Sequence, residues 1–229
     1  MNIRARSYQT ELLDRDDIPF EDIRRNMQEL NVINTWLGGH RITLAGLRRL
    51  VGDRQQLTVC EIGCGGGDNL AAIHRWCKKQ GIAVSFIGID INPDCIRVAQ
   101  AERNLPCNWI VSDYRDVHFT QPPDIIFSSL FCHHFHEREL IPQLQWMKAH
   151  AKLGFFINDL HRHTIAWHSI RLLTRLFSNS YLVKNDAPLS VARGFVKKDW
   201  HELLNSAGIT TFSVEWKWAF RWLVVVNSL

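Results

Sequence analysis

The chain has 229 residues, a formal net charge of +4, and hydrophobic and charged fractions of 46% and 22%. These values exclude a wholly disordered chain and suit one sizeable domain with a substantial core. The weak positive charge does not indicate a nucleic-acid binder. Most of the basic excess lies in residues 161–229, which hold nine Lys and Arg against four Asp and Glu. Because the overall charge is weak, we expect no nucleic-acid partner.

The six cysteines form no CxxC pair and no zinc-type cluster. Several of them lie inside apolar runs, where a free cysteine behaves as a small hydrophobic residue. The N-terminus has no apolar signal core, and no apolar stretch is long enough to span a bilayer. The sequence therefore predicts a soluble protein of the reducing cytoplasm, without a transmembrane segment.

Residues 1–54 are predicted to be helical. We expect an opening helix around Tyr8–Leu13, and a second helix from Phe20 through Val32 with apolar residues at helical spacing. Gly38 and Gly39 then interrupt the pattern before a third helix over Ile42–Val51. Together with Trp36, these glycines indicate either a flexible lid over a ligand or an ordinary turn between helices.

Short apolar strands alternate with helices in the middle of the chain, which predicts a parallel sheet covered on both faces. In chain order we expect strand Leu57–Ile62, helix Asp68–Gln80, strand Val84–Ile91, helix Asn92–Asn104, strand Asn108–Val111, strand Ile125–Ser128, helix Glu137–His150 and strand Leu153–Ile157. The helix at 92–104 is expected to begin with Asn92 as its N-cap.

The last third changes its pattern. A long helix is predicted over residues 161–180, followed by a loop that contains Pro188 and by helix Lys197–Ala207. Two closing strands are expected, Thr210–Trp216 and Phe220–Val226, the second supported by its β-branched run. Trp167, Tyr181 and Trp200 are candidates for an aromatic substrate cavity, although large aromatic residues more often belong to a core.

The most informative motif joins the first strand to the first helix of this sheet. Glu61 stands two residues before glycines at alternate positions, Gly63, Gly65 and Gly67. Glycine is needed where the backbone turns tightly or approaches a ligand closely, and the following helix N-terminus offers free N–H groups. A glycine run alone is weak evidence, because dinucleotide-binding loops share it.

Acids at the ends of strands two and three sharpen this interpretation. Asp90 ends the second strand, where a carboxylate accepts hydrogen bonds from a ribose diol. Asp113 follows the third strand, where it can accept from an adenine amino group. An acid at the position of Glu61 has no use in a dinucleotide phosphate loop, but a carboxylate there is suited either to receive an ammonium group or to order the loop. Ribose-binding acids after the second strand also occur in NAD enzymes, and it is the pair of Glu61 and Asp113 that disfavours an NAD-dependent oxidoreductase, which stays an alternative.

In these motifs and their spacing, the chain resembles the class I S-adenosylmethionine-dependent methyltransferases. The resemblance implies S-adenosyl-L-methionine as cofactor and S-adenosyl-L-homocysteine as product. It assigns the methionine part to the glycine loop, the ribose to Asp90 and the adenine amine to Asp113. The cofactor-binding residues expected on this basis are Glu61, Gly63, Cys64, Gly65, Gly67, Asn69, Asp90, Ile91, Asp113, Tyr114 and Ser129.

The resemblance also implies the fold. It predicts an α/β protein with the three-layer Rossmann-like class I methyltransferase fold: a seven-stranded, mostly parallel sheet whose last strand is antiparallel and inserted beside the sixth. Residues 1–54 would form the N-terminal helical lid, and residues 55–229 the cofactor-binding domain. Within that domain, residues 161–208 would supply the substrate-side helices.

A narrower similarity concerns the acceptor. The segments 31–39, 131–135 and 158–163, and the stretch from Asp186 to Ser190 with Arg193, resemble small bacterial methyltransferases of the ubiquinone/menaquinone-biosynthesis type and those associated with type III polyketide synthases. This similarity implies a phenolic, quinonoid or polyketide-derived acceptor, methylated on oxygen or carbon. The chain is expected to be a monomer or homodimer.

Methylation of a phenol or carbon acid requires removal of a proton, for which histidine is suited near neutral pH. His134, after the fourth strand, is our first candidate for base or substrate contact, against the alternative that it packs or caps the next helix. Asp159 with His161 is the second candidate, since both share one face at a strand end. Equally, Asp159 can bond backbone amides instead. No metal site is predicted.

Two other classes remain as alternatives. An RNA or protein methyltransferase is disfavoured because Ser128-Ser129-Leu130-Phe131 follows strand four in place of an Asn-Pro-Pro-Tyr segment. A non-catalytic cofactor-binding protein is disfavoured by the intact glycines and acids.

Overall fold

The computed structural model describes residues 3–15 and 17–228. Its helices are α1 Phe20–Trp36, α2 Gly39–Val51, α3 Asp68–Gln80, α4 Pro93–Glu102, α5 Glu137–His150, α6 Thr164–Phe177, α7 Tyr181–Arg193 and α8 Lys197–Ser206. Its strands are β1 Gln56–Ile62, β2 Ala83–Asp90, β3 Cys107–Val111, β4 Ile125–Ser129, β5 Gly154–Leu160, β6 Ser213–Lys217 and β7 Arg221–Asn227.

The seven strands form one sheet in the order β3-β2-β1-β4-β5-β7-β6. The first five strands run parallel, and β7 pairs antiparallel with both β5 and β6. The predicted insertion of the last strand beside the sixth is therefore confirmed. Strand order reverses at β1, and the carboxyl ends of β1 and β4 open a crevice at that point, where ligands bind in such sheets.

Helices cover both faces of this sheet and make a three-layer domain. On one face α2, α3 and α4 bury Leu47, Leu70 and Ile96 against the strands. On the other face α5 and α8 bury Leu144 and Trp200. The strands are apolar on both faces because both are covered, which explains why they appear in the sequence as continuous apolar runs.

Most predicted elements agree with the structure to within three residues. The helices at 68–80 and 137–150 are confirmed at both ends. Asn92 caps α4 as expected, since its side chain accepts hydrogen bonds from the backbone N–H groups of Asp94 and Cys95.

Two predicted elements were wrong. The opening helix over Tyr8–Leu13 is absent, and residues 12–14 form a single 3-10 turn. The predicted loop around Pro188 is part of α7, whose N-terminus is capped by the Ser180 hydroxyl accepting from the Val183 N–H. Proline lacks the N–H that would bond one turn back, so tertiary packing overrides its preference here: six of the eight residues from Asp186 to Arg193 are buried, and the exceptions are Ala187 and Ser190.

The long helix predicted over residues 161–180 is shorter than expected. Strand β5 extends to Leu160, and the His163 side chain caps the first turn of α6 by accepting from the Ile165 N–H. Within the described ranges, no helix is both long enough and apolar enough to cross a membrane.

Candidate active site

A cavity of about 1110 Å³ lies at the crevice formed by the strand ends. Its walls come from α1, the glycine loop after β1, the ends of β2 and β3, the segment after β4, helices α6 and α7, and the β6–β7 hairpin. A pocket for one small molecule occupies about 300–1,000 Å³. The cavity is therefore large enough for a cofactor with a second ligand beside it.

The glycine loop forms a rigid wall of this cavity. Gly63 has a φ of +66°, and a Cβ there would lie 2.1 Å from the ring of Phe131. Gly67 has a φ of +69°, and its Cβ would lie 2.5 Å from the ring of Trp109. Both positions therefore need glycine for conformation and for space. The Gly65 N–H donates to Asp90 Oδ2 at 2.8 Å, which ties the loop to the end of β2.

Glu61 is buried at the end of β1 with one carboxylate oxygen unsatisfied. Oε1 accepts from the Asn69 side chain at 3.1 Å, whereas Oε2 has no hydrogen-bond partner among the described residues. Burial, followed by the charge of Asp68, raises the pKa of Glu61 well above its usual value. A buried acceptor without a donor is costly, and a ligand ammonium would satisfy it. The site therefore fits the amino group of an amino-acid moiety.

Arg221 is a second buried charge on this cavity, and the sequence analysis did not select it. One of its terminal nitrogens donates to Asn34 Oδ1 at 3.1 Å, and the other has no partner in the described part of the chain. Burial lowers its pKa to about 10, so the guanidinium stays positive at neutral pH. An orphan cation and an orphan carboxylate oxygen on one cavity match the two charged ends of an amino acid. In the sequence, Arg221 is a single charged residue directly before the apolar run 222–226, and this was the signal that could have identified it.

Helix α1 closes the cavity over the glycine loop. The Asn34 side chain donates to Asp68 Oδ2 at 3.3 Å, and the same oxygen lies 2.7 Å from His40 Nε2. This network ties α1 and α2 to the first residue of α3. Trp36, expected in the lid, is 81% exposed and does not line the cavity, because the inward face of α1 carries Met27, Leu30 and Asn34 instead.

The predicted cofactor-binding residues mostly share this cavity. Asp90 Oδ1 accepts from the Asn92 N–H at 2.9 Å, so both of its oxygens order the surrounding backbone. Asp113 is bonded through both carboxylate oxygens to the Arg115 guanidinium. Of the predicted cofactor-binding residues, those that line the cavity are Glu61, Gly63, Cys64, Gly65, Asn69, Asp90, Ile91, Asp113, Tyr114 and Ser129. Gly67 is absent from the lining and serves as the N-cap of α3.

Asn69 and Ser129 contribute through hydrogen bonds to neighbours as well as through the cavity wall. Asn69 bridges two groups, since its amide donates to Glu61 and its oxygen accepts from the Thr43 hydroxyl at 3.0 Å. The Ser129 hydroxyl accepts from the Asn158 amide at 3.3 Å. Asn69 therefore orients the carboxylate of Glu61.

A cluster of two histidines and three carboxylates lies at another part of the cavity wall. His133 Nδ1 is 2.8 Å from Asp159 Oδ1, and His133 Nε2 is 3.5 Å from Glu11 Oε1. Burial alone lowers the pKa of His133, but Asp159 and then Glu11 outweigh it and raise the pKa to about 9. His133 is thus a buried imidazolium held between two carboxylates at neutral pH.

His134 is the histidine of this cluster that is accessible from the cavity. Its side chain is 22% exposed and lines the cavity, with Nδ1 3.3 Å from Asp14 Oδ1 and Nε2 3.8 Å from Glu11 Oε2. An Nδ1–H donated to Asp14 leaves the Nε2 lone pair free, which is the tautomer that a general base requires. The carboxylate beside Nε2 would stabilise the imidazolium that forms.

Glu11 and Asp14 come from the N-terminal segment, which distant residues hold in place. Asp186 accepts from the backbone N–H groups of Leu12 and Leu13 at 2.9 and 3.0 Å. The Ser190 hydroxyl donates to Glu11 Oε1 at 2.7 Å, and Arg193 donates to the Gln9 carbonyl at 2.6 Å. The stretch from Asp186 to Arg193, which was linked to an acceptor class by resemblance, thus anchors the carboxylates of the cluster.

The predicted pairing of Asp159 with His161 is wrong. Asp159 is fully buried and bonds His133, the backbone N–H of His133 and that of Leu160. His161 instead accepts from the Trp216 indole at 3.2 Å and does not line the cavity. Burial, then the charges of His163 and Arg162, lowers the pKa of His161.

The predicted aromatic cavity residues were also wrong. Trp200 is fully buried against Phe195, Tyr181 is 48% exposed, and Trp167 lies outside the cavity wall. The aromatic lining comes instead from Trp216, Trp218 and Phe220 on the hairpin, and from Phe131 and Phe135 after β4. The hairpin reaches the cavity through a tight turn in which Ala219 and Phe220 have positive φ.

Glu11, His133 and His134 also have the spacing of a metal site. Their ligand atoms lie within 4.8 Å of one another in the part of the chain that is described. A protonated His133 has no lone pair to offer a cation, so a metal ion would have to displace a proton from it. The expectation of no metal stays a prediction.

Comparisons with known proteins agree with this fold. Residues 59–154 match the family model described as a methyltransferase domain. The plantazolicin methyltransferase BpumL in complex with SAH superposes with a TM-score of 0.65 at 15% identity, covering 89% of this chain and 90% of that one. No curated protein sequence matches the chain.

Two further solved structures are similar. Human N-acetylserotonin methyltransferase in complex with SAM gives a TM-score of 0.64 at 18% identity, covering 91% of this chain and 56% of that one. A SAM-dependent methyltransferase from Aquifex aeolicus gives 0.61 at 16% identity, covering 90% and 98%.

The sheet order and the superposed structures show that the chain has the fold of the class I methyltransferases, and residues 59–154 match a methyltransferase domain. This agrees with the resemblance found in the sequence, and Glu61, Asp90 and the glycine loop stand at the crevice where that class of sheet binds its ligands.

Proposed function

We propose that the protein transfers a methyl group from S-adenosylmethionine to an oxygen or carbon of a small phenolic, quinonoid or polyketide-derived acceptor. The observation that carries this proposal is His134, which faces the same cavity as the glycine loop and has a carboxylate at each ring nitrogen. Acceptors of this kind must lose a proton on methylation, and a supported histidine supplies the base.

Cofactor binding is assigned to two parts of the cavity. Glu61 would take the ammonium group through its free Oε2, and Arg221 would take the carboxylate through its free nitrogen. Asp90 would bind the ribose hydroxyls, and Ile91 and Tyr114 would flank the adenine, with Asp113 near the adenine amine. When bound, S-adenosylmethionine supplies a methyl group activated by a positively charged sulfur. The protein therefore has to align a nucleophile and remove its proton.

Proton removal is assigned to His134. Its Nε2 would accept the proton of the acceptor hydroxyl or carbon acid while the new bond to the methyl group forms. The resulting imidazolium would be stabilised by Asp14 at Nδ1 and by Glu11 near Nε2. His133 and Asp159 act behind this pair: the buried imidazolium of His133 holds Glu11 in place.

The aromatic wall supports a planar acceptor. Trp216, Trp218 and Phe220 line the cavity from the hairpin, and Phe131 and Phe135 line it after β4. Aromatic side chains favour stacked and edge-to-face contacts with another ring. One of the similar structures is that of human N-acetylserotonin methyltransferase, which is named for an aromatic acceptor.

The test is a transfer assay with S-adenosylmethionine whose methyl group is deuterated. The acceptors are a simple phenol, a naphthoquinol, a 1,3-diketone, a short RNA and a denatured protein. We expect labelled product from a phenolic, quinol or diketone acceptor, detected by mass spectrometry. Label that appears only on RNA or protein would replace this proposal with the alternative class, and binding of S-adenosylhomocysteine without transfer to any acceptor would favour a non-catalytic role.

A further inference from the structure

Helix α6 carries an exposed apolar stripe that the methyltransferase chemistry does not explain. Ile165, Leu172, Leu176 and Phe177 are 59%, 59%, 65% and 78% exposed. The first three recur at intervals of seven and four residues, so they lie along one face of the helix. Contiguous exposed apolar surface of this kind marks an interaction site more often than chance exposure does.

This stripe continues into the cavity. The adjoining face of α6 carries Ala166, Ser169, Ile170 and Leu173, all of which line the cavity wall. Leu173 belongs to both surfaces, since it is 40% exposed and also part of the lining. One helix therefore presents apolar side chains both to the outside of the molecule and to the cavity, with Ser169 as the polar residue between them.

The opposite edge of the stripe is basic. Arg171 and Arg175 are exposed on α6, and the helix contains no Asp or Glu. Residues 161–229 as a whole carry nine Lys and Arg against four Asp and Glu. Glu29, the acid that contacts the end of this helix, is engaged by the Ser178 hydroxyl and by the N–H groups of Asn179 and Ser180. The face is therefore positive beside its apolar stripe.

We propose that α6 docks on an anionic lipid surface. A helix with one apolar face and arginines at its polar edge lies in the interface plane of a bilayer, with the apolar side chains at the boundary between headgroups and acyl chains. Arg171 and Arg175 would contact lipid phosphates. Fourteen residues are too few to span a bilayer, so the helix lies on the surface.

This arrangement turns the cavity towards the membrane. An acceptor dissolved in the bilayer would reach His134 along Leu173 and Ile170 without crossing water. The inference goes beyond the proposed function, because lipid binding is measured without any acceptor or turnover. A second copy of the chain on the same stripe is the competing occupant, and the experiment separates the two.

The experiment is sedimentation of the full chain with vesicles of phosphatidylcholine containing phosphatidylglycerol, and with vesicles of phosphatidylcholine alone. We expect the chain to partition onto the anionic vesicles. Because each basic residue near such a surface contributes about fivefold to partitioning, R171E/R175E should reduce binding by at least about 25-fold. L172E/L176E should abolish it. The control K197E/K198E makes the same change in charge on α8, where both lysines are exposed, and should retain most of the binding.

Circular dichroism and S-adenosylhomocysteine affinity show whether the variants are folded. Partitioning that is absent in the native chain, or lost equally in K197E/K198E and R171E/R175E, would overturn the proposal. A concentration-dependent dimer that L172E/L176E converts to monomer, without vesicle binding by the native chain, would assign the stripe to a second copy instead.

Discussion

Replacing His134 by Gln is expected to lower kcat by about 10²–10⁴, the usual contribution of a positioned general base. The affinity for S-adenosylhomocysteine should stay unchanged, because His134 contacts Asp14 and Glu11 rather than the glycine loop. The measurement is steady-state kinetics of methyl transfer to the best acceptor, beside calorimetry with the product cofactor.

A neighbouring histidine provides the matched control for this substitution. His136 is two residues away, stacks on Tyr8 with ring centroids 4.5 Å apart, and does not line the cavity. H136Q should therefore keep its turnover, whereas D14N should lose part of it, because a neutral amide stabilises the imidazolium of His134 less than a carboxylate does. Native kcat in H134Q would remove His134 from the chemistry and move the base elsewhere.

Asp159→Asn is expected to cost about 3–5 kcal/mol of folding stability, the usual cost of breaking a buried charge pair. Asp159 is fully buried, and three hydrogen bonds converge on its carboxylate, one from the His133 ring and two from backbone N–H groups. The substitution removes the charge that balances the buried imidazolium. Urea denaturation measures the effect.

The pH dependence of stability tests whether this loss comes from the pair of His133 and Asp159. The pKa of His133 rises from 6.5 to about 9 on folding, so its contribution is fully present below about pH 6.5 and is lost as the pH rises through 9. The native chain should therefore lose stability over that window, and D159N should lose less. The control E202Q breaks only the exposed Lys198–Glu202 pair and should change stability by less than about 0.5 kcal/mol. Equal stability of D159N and E202Q would contradict the buried pair.

The sheet could be predicted from the sequence because its signals are local. Each strand is a short apolar run between helices of regular periodicity, and the glycine loop, Glu61 and Asp90 stand at fixed places relative to those strands. A local signal also led to one wrong prediction, the loop around Pro188. Pro188 indicated a loop, yet its helix is held by burial of its neighbours and by the Ser180 cap, which the proline alone does not reveal.

The cluster of histidines and carboxylates could not be predicted, because long-range contacts assemble it. The segment with Glu11 and Asp14 is held beside the histidines by bonds to Asp186, Ser190 and Arg193, which lie more than 170 positions away. Asp159 shares a strand face with His161, and periodicity favoured that pair, but the loop after β4 brings His133 closer. The spacing of residues in a strand predicts on which face a side chain lies, but it does not predict which residue from another element will contact that side chain.

The most direct test of the account is calorimetric titration of the chain with S-adenosylhomocysteine, with NAD as the contrasting ligand. We expect one site for S-adenosylhomocysteine and none for NAD. D90N should weaken binding by about 10- to 100-fold, the effect of losing hydrogen bonds to a charged group, whereas the exposed D116N should bind normally. Binding of NAD, or no heat from S-adenosylhomocysteine, would contradict the assignment of this cavity to the methyltransferase cofactor.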